Sequence, residues 1–486
     1  MGLGIWNLGL GIYYICREVL LIKPKKMNIT HEKIDELNSI LKVEVSAEDY
    51  QPGVEKVLKE NQKKMNLPGF RPGKVPFSVV KKMYGKAVLF DEINKLVVDS
   101  MYKYLGQNNI DILGNPLPNK EKSNNIDWDT QTNFEFYYDL GLGPQFEIEP
   151  LENLGVKYYD IIVNEQVVDK YMNDIRKRYG KYSNPEVTDA EDLIYAEFEE
   201  LDENGKSKEN GIKNKSSVAI DLIKNKTAGK KFLGLKKDDS IDIDILKTFE
   251  DHLEISNMLG IEQSKVGEIK TLFRIKILTI SRVELAALNN ELFEKMYKAE
   301  NITSEEQLIE RIKQDAQISF LSESDKKYVS DIVEILLEKT KIALPDAFLK
   351  RWLLESNRDK FTEEQIEKEY TIYTDSLKWQ LVENKLLKVY NIEVKQEDVK
   401  EYVKDYFRKT MQPGENGEFP EDRLNDIAER MLQNKEETKR IYDKLYDDRL
   451  KELFKSKIKM KKDSITYEDF IKLASEKHGH DHQHNH

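Results

Sequence analysis

Apolar residues recur at helical spacing on both sides of a short loop framed by proline and glycine. Tyr50, Val54, Val57 and Leu58 fall on one helical face, leaving Lys56, Lys59, Lys63 and Lys64 mostly on the others. Ser46-Ala47-Glu48-Asp49 precedes that stripe as a capping box, with a hydroxyl for an orphan amide and an acid at the positive helix end. Pro68 ends the helix. Pro76 opens a second one, whose stripe runs Val80, Tyr84, Val88, Ile93, Val97, Met101 and Tyr104. The pattern predicts a helical hairpin carrying Asn66-Leu67-Pro68-Gly69-Phe70-Arg71-Pro72-Gly73-Lys74-Val75-Pro76 at its tip.

Elsewhere the periodicity changes twice. A strand over 40–45 precedes the hairpin. Residues 156–284 mix strand-like alternation (156–163, 193–201, 240–246, 271–280) with a helix over 165–179 carrying Val168, Met172 and Ile175. Asp202-Glu203-Asn204-Gly205 is a hairpin turn. From Val283 onward the chain reads as helix. Ser304-Glu305-Glu306-Gln307 is a capping box ahead of Leu308, Ile312, Ala316 and Phe320, and further helices are predicted over 376–390, 396–408, 421–433 and 436–455. The fold class is therefore multidomain α+β: an α+β domain with a helical hairpin, an α+β middle domain and a mainly α-helical C-terminal domain. Most helical stripes read as ordinary core, and a fraction need not be buried at all.

Charge sharpens the picture at the hairpin. The formal net charge is -12, yet residues 56–86 hold nine Lys or Arg and a single acid, Glu60. A basic island on an acidic chain suits a polyanion such as nucleic acid; the plainer reading is a solvated, lysine-rich helical face. Phe70, Arg71 and Lys74 at the tip suit docking on a phosphate backbone, where cations supply affinity and an aromatic supplies an anchor. The loop is not a nucleotide-binding P-loop. Three residues rather than four separate Gly69 from Gly73, Val75 stands where a hydroxyl is needed, and a helix rather than a strand precedes it.

At 486 residues, with 34% charged and 39% hydrophobic residues, the chain suits about three soluble domains. Cys16 is the only cysteine, which excludes a disulfide framework and a Cys-based metal cluster. Outside the ending His478-Gly479-His480-Asp481-His482-Gln483-His484-Asn485-His486, only His31 and His252 remain, so neither a hydrolytic triad nor zinc catalysis finds support. That alternating tail can bind a divalent metal, though a solvated tail with no fixed geometry is the simpler reading. No catalytic residue, metal ligand or cofactor is assigned.

The loop resembles the signature of the bacterial trigger factors, a Gly-Phe-Arg-x-Gly-Lys-x-Pro segment between two helices, matched by Gly69, Phe70, Arg71, Gly73, Lys74 and Pro76. The similarity runs in order from Met27 to about Ser475. It includes the turn at 112–116, an extended linker strand over 134–148 and a proline-started helix at 343–349. A second cation follows the Phe-Arg pair in the family, and Pro72 holds that position here. The resemblance implies an ATP-independent chaperone that docks at the ribosomal exit tunnel through those six residues, shields nascent unfolded chains and assists folding and export. It implies ribosomal protein and rRNA as partners, a homodimer when free, and a cytoplasmic location. The implied domains are a ribosome-binding domain (27–138), an extended linker (139–155), an FKBP-like peptidyl-prolyl isomerase domain (156–284), a helical chaperone domain (285–475) and a His-rich tail (476–486).

Two segments depart from that scheme. Residues 1–22 are mostly apolar, but Arg17 and Glu18 interrupt them and Lys23, Lys25 and Lys26 follow. Residues 1–26 read as an upstream extension outside the fold, with a membrane anchor as the alternative. In the middle domain the family's Ile-Pro-Gly-Phe segment falls near 224–235. Here that stretch carries Lys224, Lys226, Lys230 and Lys231, with Phe232 as its only aromatic. A retained scaffold with a degenerate pocket is expected, and isomerisation as the main activity is the alternative.

Overall fold

The computed structural model describes residues 27–71, 73–122, 126–297, 302–357, 360–410 and 420–478. In chain order the first elements are β1 (Asn28–Lys33), β2 (Asn38–Val45), α1 (Ala47–Lys64), α2 (Phe77–Gln107), β3 (Ile112–Pro118) and β4 (Phe134–Leu142). Next come β5 (Gly155–Ile161), α3 (Glu165–Arg178), β6 (Lys181–Ser183), β7 (Leu193–Glu200), β8 (Lys213–Ala219) and α4 (Lys226–Gly229). They are followed by β9 (Ser240–Ile243), α5 (Ile245–Phe249), α6 (His252–Leu259), α7 (Gln263–Val266) and β10 (Phe273–Glu284). The helices α8 (Asn290–Met296), α9 (Glu305–Lys339), α10 (Asp346–Ser356), α11 (Glu363–Val389), α12 (Gln396–Thr410), α13 (Glu421–Gln433) and α14 (Lys435–Lys457) then lead to β11 (Lys459–Ile465) and α15 (Tyr467–His478). Two compact units emerge, 1–156 with 329–461 and 157–328 with 462–486. These units cut across the linear blocks read from the sequence, since 285–328 groups with the middle segment rather than with the rest of 285–475.

In the first unit an antiparallel sheet of order β1-β2-β4-β3 is covered by the second half of α2. Leu41, Val43 and Val45 from β2 and Phe134, Phe136 and Leu140 from β4 close on Ile93, Val97, Met101 and Leu105. The first half of α2 serves a different core. Val80 and Val88 pack on Leu58 of α1 and on Val75. The buried face therefore rotates along the helix: Val80, Val88, Ile93, Val97 and Met101 of the expected stripe are buried, while Tyr84 is 42% exposed and Leu105 is buried beside a half-buried Tyr104.

The same sheet receives α10 on β3 and β4. Leu113 and Leu117 pack with Phe348, Leu349, Trp352 and Leu353, and Arg351 donates to Asp139 at 2.6 Å. The approach depends on two glycines. A Cβ at Gly141 would lie 2.5 Å from the Phe348 ring, and one at Gly114 (φ +74°) would lie 2.8 Å from Trp352. A separate core joins α12, α13 and α14 through Val399, Val403, Ala428 and Ile441.

In the second unit β6-β10-β7-β8 form a sheet, with β9 on the free end of β10. Ile194, Ala196 and Phe198 of β7 and Phe273, Ile275 and Ile277 of β10 bury one face against Phe249, Ile255 and Leu259. Arg282 holds the fully buried Asp192 carboxylate bidentately at 2.7 and 2.8 Å. The expected stripe of α9 is realised, since Leu308 and Ile312 pack on α3 and α8 while Ala316 and Phe320 pack on α3 and on Phe470 of α15.

Several boundaries differ from expectation for local reasons. The strand read over 240–246 ends at Ile243, because Asp244 caps a helix by accepting from the Lys247 amide. The extended segment over 134–148 is a strand only to Leu142. The helix read as starting at 376 starts at Glu363, where Thr362 and Gln365 form a capping box. Gln307 returns its hydrogen bond to the Thr303 amide instead of to Ser304. Strands β1 and β11 and helix α15 were not read from the sequence. Residues 1–26 and 479–486, which carry the extension and most of the His-rich tail, lie outside the described residues.

Two tests follow from these cores. Gly141→Ala drives a methyl into Phe348 and Pro345, and an overpacked core of this kind costs about 1–3 kcal/mol. Its urea midpoint is expected to fall, and Phe348→Leu in the same chain is expected to recover part of the loss. Glu383 on α11 is pushed up to about 7 by burial and by the neighbouring Asp447 and Asp443. A raised carboxyl binds its proton more tightly in the folded chain, so it contributes stability below the ordinary value of 4.5 that is lost as pH rises through about 7. Glu383→Gln is therefore expected to raise the denaturation midpoint in mildly alkaline buffer and to change it little in acid.

Candidate functional site

The loop between α1 and α2 is built from the helix ends outward. Asp49 caps α1 by accepting from the Ser46 amide at 2.8 Å, and Pro76 precedes α2. Between them Val75 is fully buried against Leu58, Val80 and Val88. Gln62 donates to the Val75 carbonyl at 2.6 Å, and the Gly73 amide donates to the Met65 carbonyl at 3.1 Å. Turn bonds from Phe70 to the Leu67 carbonyl (3.1 Å) and from Lys74 to the Arg71 carbonyl (2.9 Å) complete it. The chain is thus tied down before and after the tip.

Both glycines are required, for different reasons. Gly69 (φ +91°) has open space around it, so only its backbone angle excludes a side chain. Gly73 (φ +71°) also lies where a Cβ would come 3.0 Å from the Lys63 carbonyl oxygen. Between them Phe70 is 42% exposed and Arg71 and Lys74 are exposed. The six expected site residues therefore sit in one loop: Phe70, Arg71 and Lys74 present their side chains, Gly69 and Gly73 shape the turn, and Pro76 starts α2. No ion-pair partner for Lys56, Lys63, Lys64, Arg71, Lys74, Lys81 or Lys82 is found among the described residues. Two nearby lysines are paired, Lys59 with Glu55 at 3.3 Å and Lys86 with Asp129 at 2.9 Å. An anion approaching the tip meets uncompensated charge.

In the segment 224–235, Asn225 caps α4 by accepting from the Thr227 and Ala228 amides at 3.1 Å. Phe232 is fully buried, edge-on to Phe249 at 6.4 Å between ring centres, and its carbonyl accepts from Thr188 at 2.6 Å. The one aromatic of this stretch is therefore a core residue, while Lys230 and Leu233 face solvent.

Sequence periodicity did not separate core stripes from free ones. In the first unit Ile372 of α11, Val389 at its end and Tyr406 of α12 are 57–64% exposed. In the second, Ile318 and Leu321 of α9 are exposed at 66% and 56%. The signal that could have found them is the second apolar face these helices carry beside the buried one. Among the described residues no group of His, Cys, Asp or Glu could hold a metal ion, and no helix is long and apolar enough to cross a membrane.

A fastened basic loop on a helical hairpin, ahead of a sheet-based unit and long amphipathic helices, defines a multidomain α+β protein with an exposed cationic tip. Three family models account for most of the chain: the bacterial trigger factor protein over 27–175, the probable trigger factor FKBP-like domain over 182–285, and the probable trigger factor C-terminal domain over 324–474. The chain belongs to the trigger factor family. The trigger factor of Pelagibacter ubique (strain HTCC1062) is 24% identical over 467 residues, covering 94% of this chain and 91% of that protein. The trigger factor of Prosthecochloris aestuarii (strain DSM 271 / SK 413) is 24% identical over 391 residues, covering 78% and 86%. A solved structure described as "Promiscuous Substrate Recognition in Folding and Assembly Activities of the Trigger Factor Chaperone" covers 88% of this chain and 99% of its own, at 16% identity and a TM-score of 0.39.

The two glycines predict different costs. Gly69→Ala meets only the left-handed backbone, a strain of about 1–2 kcal/mol. Gly73→Ala meets that strain and the Lys63 carbonyl, so its thermal midpoint is expected to fall further than that of Gly69→Ala. Equal shifts in the two variants would contradict the close approach.

Proposed function

We propose that this chain is an ATP-independent chaperone that docks at the ribosomal exit tunnel and shields unfolded nascent chains, assisting their folding and export. The docking site is the loop of Gly69, Phe70, Arg71, Gly73, Lys74 and Pro76, and its partners are ribosomal protein and rRNA beside the tunnel. The observation that carries this reading is the fastening of the loop: Val75 is buried and Gln62 and Met65 bond its far side, so Phe70, Arg71 and Lys74 project without a role in the core. Exposed apolar residues of α11 and α12 in the first unit, and separately of α9 in the second, offer surface to unfolded segments. Domains at 27–138, 156–284 and 285–475, with a linker at 139–155, belong to the same proposal. So do a cytoplasmic location and a homodimer in the free protein.

In the alternative, isomerisation of X-Pro bonds is the main activity. An isomerase pocket needs a dry aromatic wall open to substrate. Phe232 is instead packed into the core, which favours a scaffold role for the middle domain.

Replacing Phe70, Arg71 and Lys74 together with Ala is expected to abolish most ribosome association in co-sedimentation while leaving the far-UV signal unchanged. Pelleting of the triple variant at the parent's level would overturn the docking assignment.

A further inference from the structure

Beyond the loop, α1 carries a second line of charge. Lys56, Lys59 and Lys63 recur at positions i, i+3 and i+7, opposite the face that holds Val54 and Leu58, and all three are exposed. At ~1.5 Å of rise per residue they extend over about 10 Å of helix axis. A nucleic-acid strand carries a charge on every nucleotide, so a row of cations of this length can meet more than one phosphate. Lys56 and Lys63 have no ion-pair partner among the described residues. Lys59 meets Glu55 at 3.3 Å with both side chains more than 60% exposed, a weak, solvent-screened contact that a polyanion displaces. The line is also rigidly joined to the loop. The Lys63 carbonyl lies against Gly73, the next residue but one, Met65, accepts from the Gly73 amide, and Gln62 holds Val75.

We propose that this outward face of α1 is a second docking contact, made with RNA phosphates beside the point where the loop engages. The inference rests on the docking reading and divides its labour. Phe70 sets position through an apolar or stacking contact that salt screens little, and the lysine line supplies salt-sensitive affinity and aligns the hairpin with the strand. A row of exposed cations, of which only Lys59 has an acidic partner among the described residues, favours RNA over an acidic protein surface. RNA is charged at every nucleotide, whereas carboxylates on a folded protein are interspersed with cations.

The test is the full chain with Lys56→Gln, Lys59→Gln and Lys63→Gln together, co-sedimented with vacant ribosomes across a salt series. Removing one cation from one phosphate is expected to flatten the slope of log affinity against log salt by roughly 0.7 to 0.9, so the slope should shrink by about 2. Parent and variant should converge at high salt, and the corresponding triple Arg variant should keep the parent's slope. All three positions are exposed, so the far-UV signal and thermal midpoint should not move. Phe70→Ala separates this inference from the reading beneath it, since it should weaken binding at every salt concentration without changing the slope. An unchanged slope in the Gln variant, with binding lost in Phe70→Ala, overturns the lysine line alone. Intact binding in both overturns docking as well. A photo-crosslinking residue at position 59 is expected to yield RNA adducts, and adducts confined to ribosomal protein would overturn the choice of partner.

Discussion

The hairpin tip of this protein depends on how the return of one loop is fastened to the end of α1. Val75 inserts fully between the two helices, Gly73 bonds Met65, and Gln62 closes on the Val75 carbonyl. Because the chain is held on the far side of the tip, Phe70, Arg71 and Lys74 can be exposed and unpaired without loosening the hairpin. Binding then need not order the loop, a step that otherwise costs about 1–2 kcal/mol per residue fixed. The same fastening explains why two glycines are indispensable to a segment that contributes so little core of its own.

A different constraint shapes the second unit, whose core closes only when distant parts of the chain meet. Phe470 of α15 packs with Ile161, Val167 and Phe320, and Tyr467 stacks on Phe320 with ring centres 4.9 Å apart. These contacts join residues far apart in sequence, so their loop-closure entropy must be overcome before they stabilise anything. The sheet core around Phe198, Phe249 and Phe273 needs no such arrival. Its side chains all lie within 194–280, so its contacts close shorter loops.

How much was legible in the sequence tracks how local the determinants are. The hairpin, its caps and the presenting residues could be read, because capping chemistry, prolines and glycines act within a turn of where they stand. The stripe of α9 was equally readable, since one face of it meets one core. Most of the α2 stripe was readable too, but its division between two cores was not, because Val80 and Val88 answer to α1 while Ile93 and Val97 answer to the sheet, and helical periodicity cannot show which partner a position faces. Strand β1 escaped for a related reason. Asn28, Thr30 and Glu32 alternate with Ile29 and His31 too weakly to announce a strand, and pairing with β2 and the packing of Ile29 on the core hold it in place. Likewise nothing in the sequence around Gly141 announces Phe348, the side chain that requires a glycine there.

An acidic chain with a basic tip has a consequence for how it meets its partner. At physiological ionic strength a charge is felt over about 8 Å, so a polyanion responds to the surface presented to it and hardly to the net charge of -12. The uncompensated cations of α1, the loop and α2 are then the groups that attract, while acidic surface elsewhere repels any misaligned encounter. On the docking reading proposed above, such a layout favours a correctly oriented encounter, with the cations supplying salt-sensitive attraction and the one aromatic a contact that survives screening.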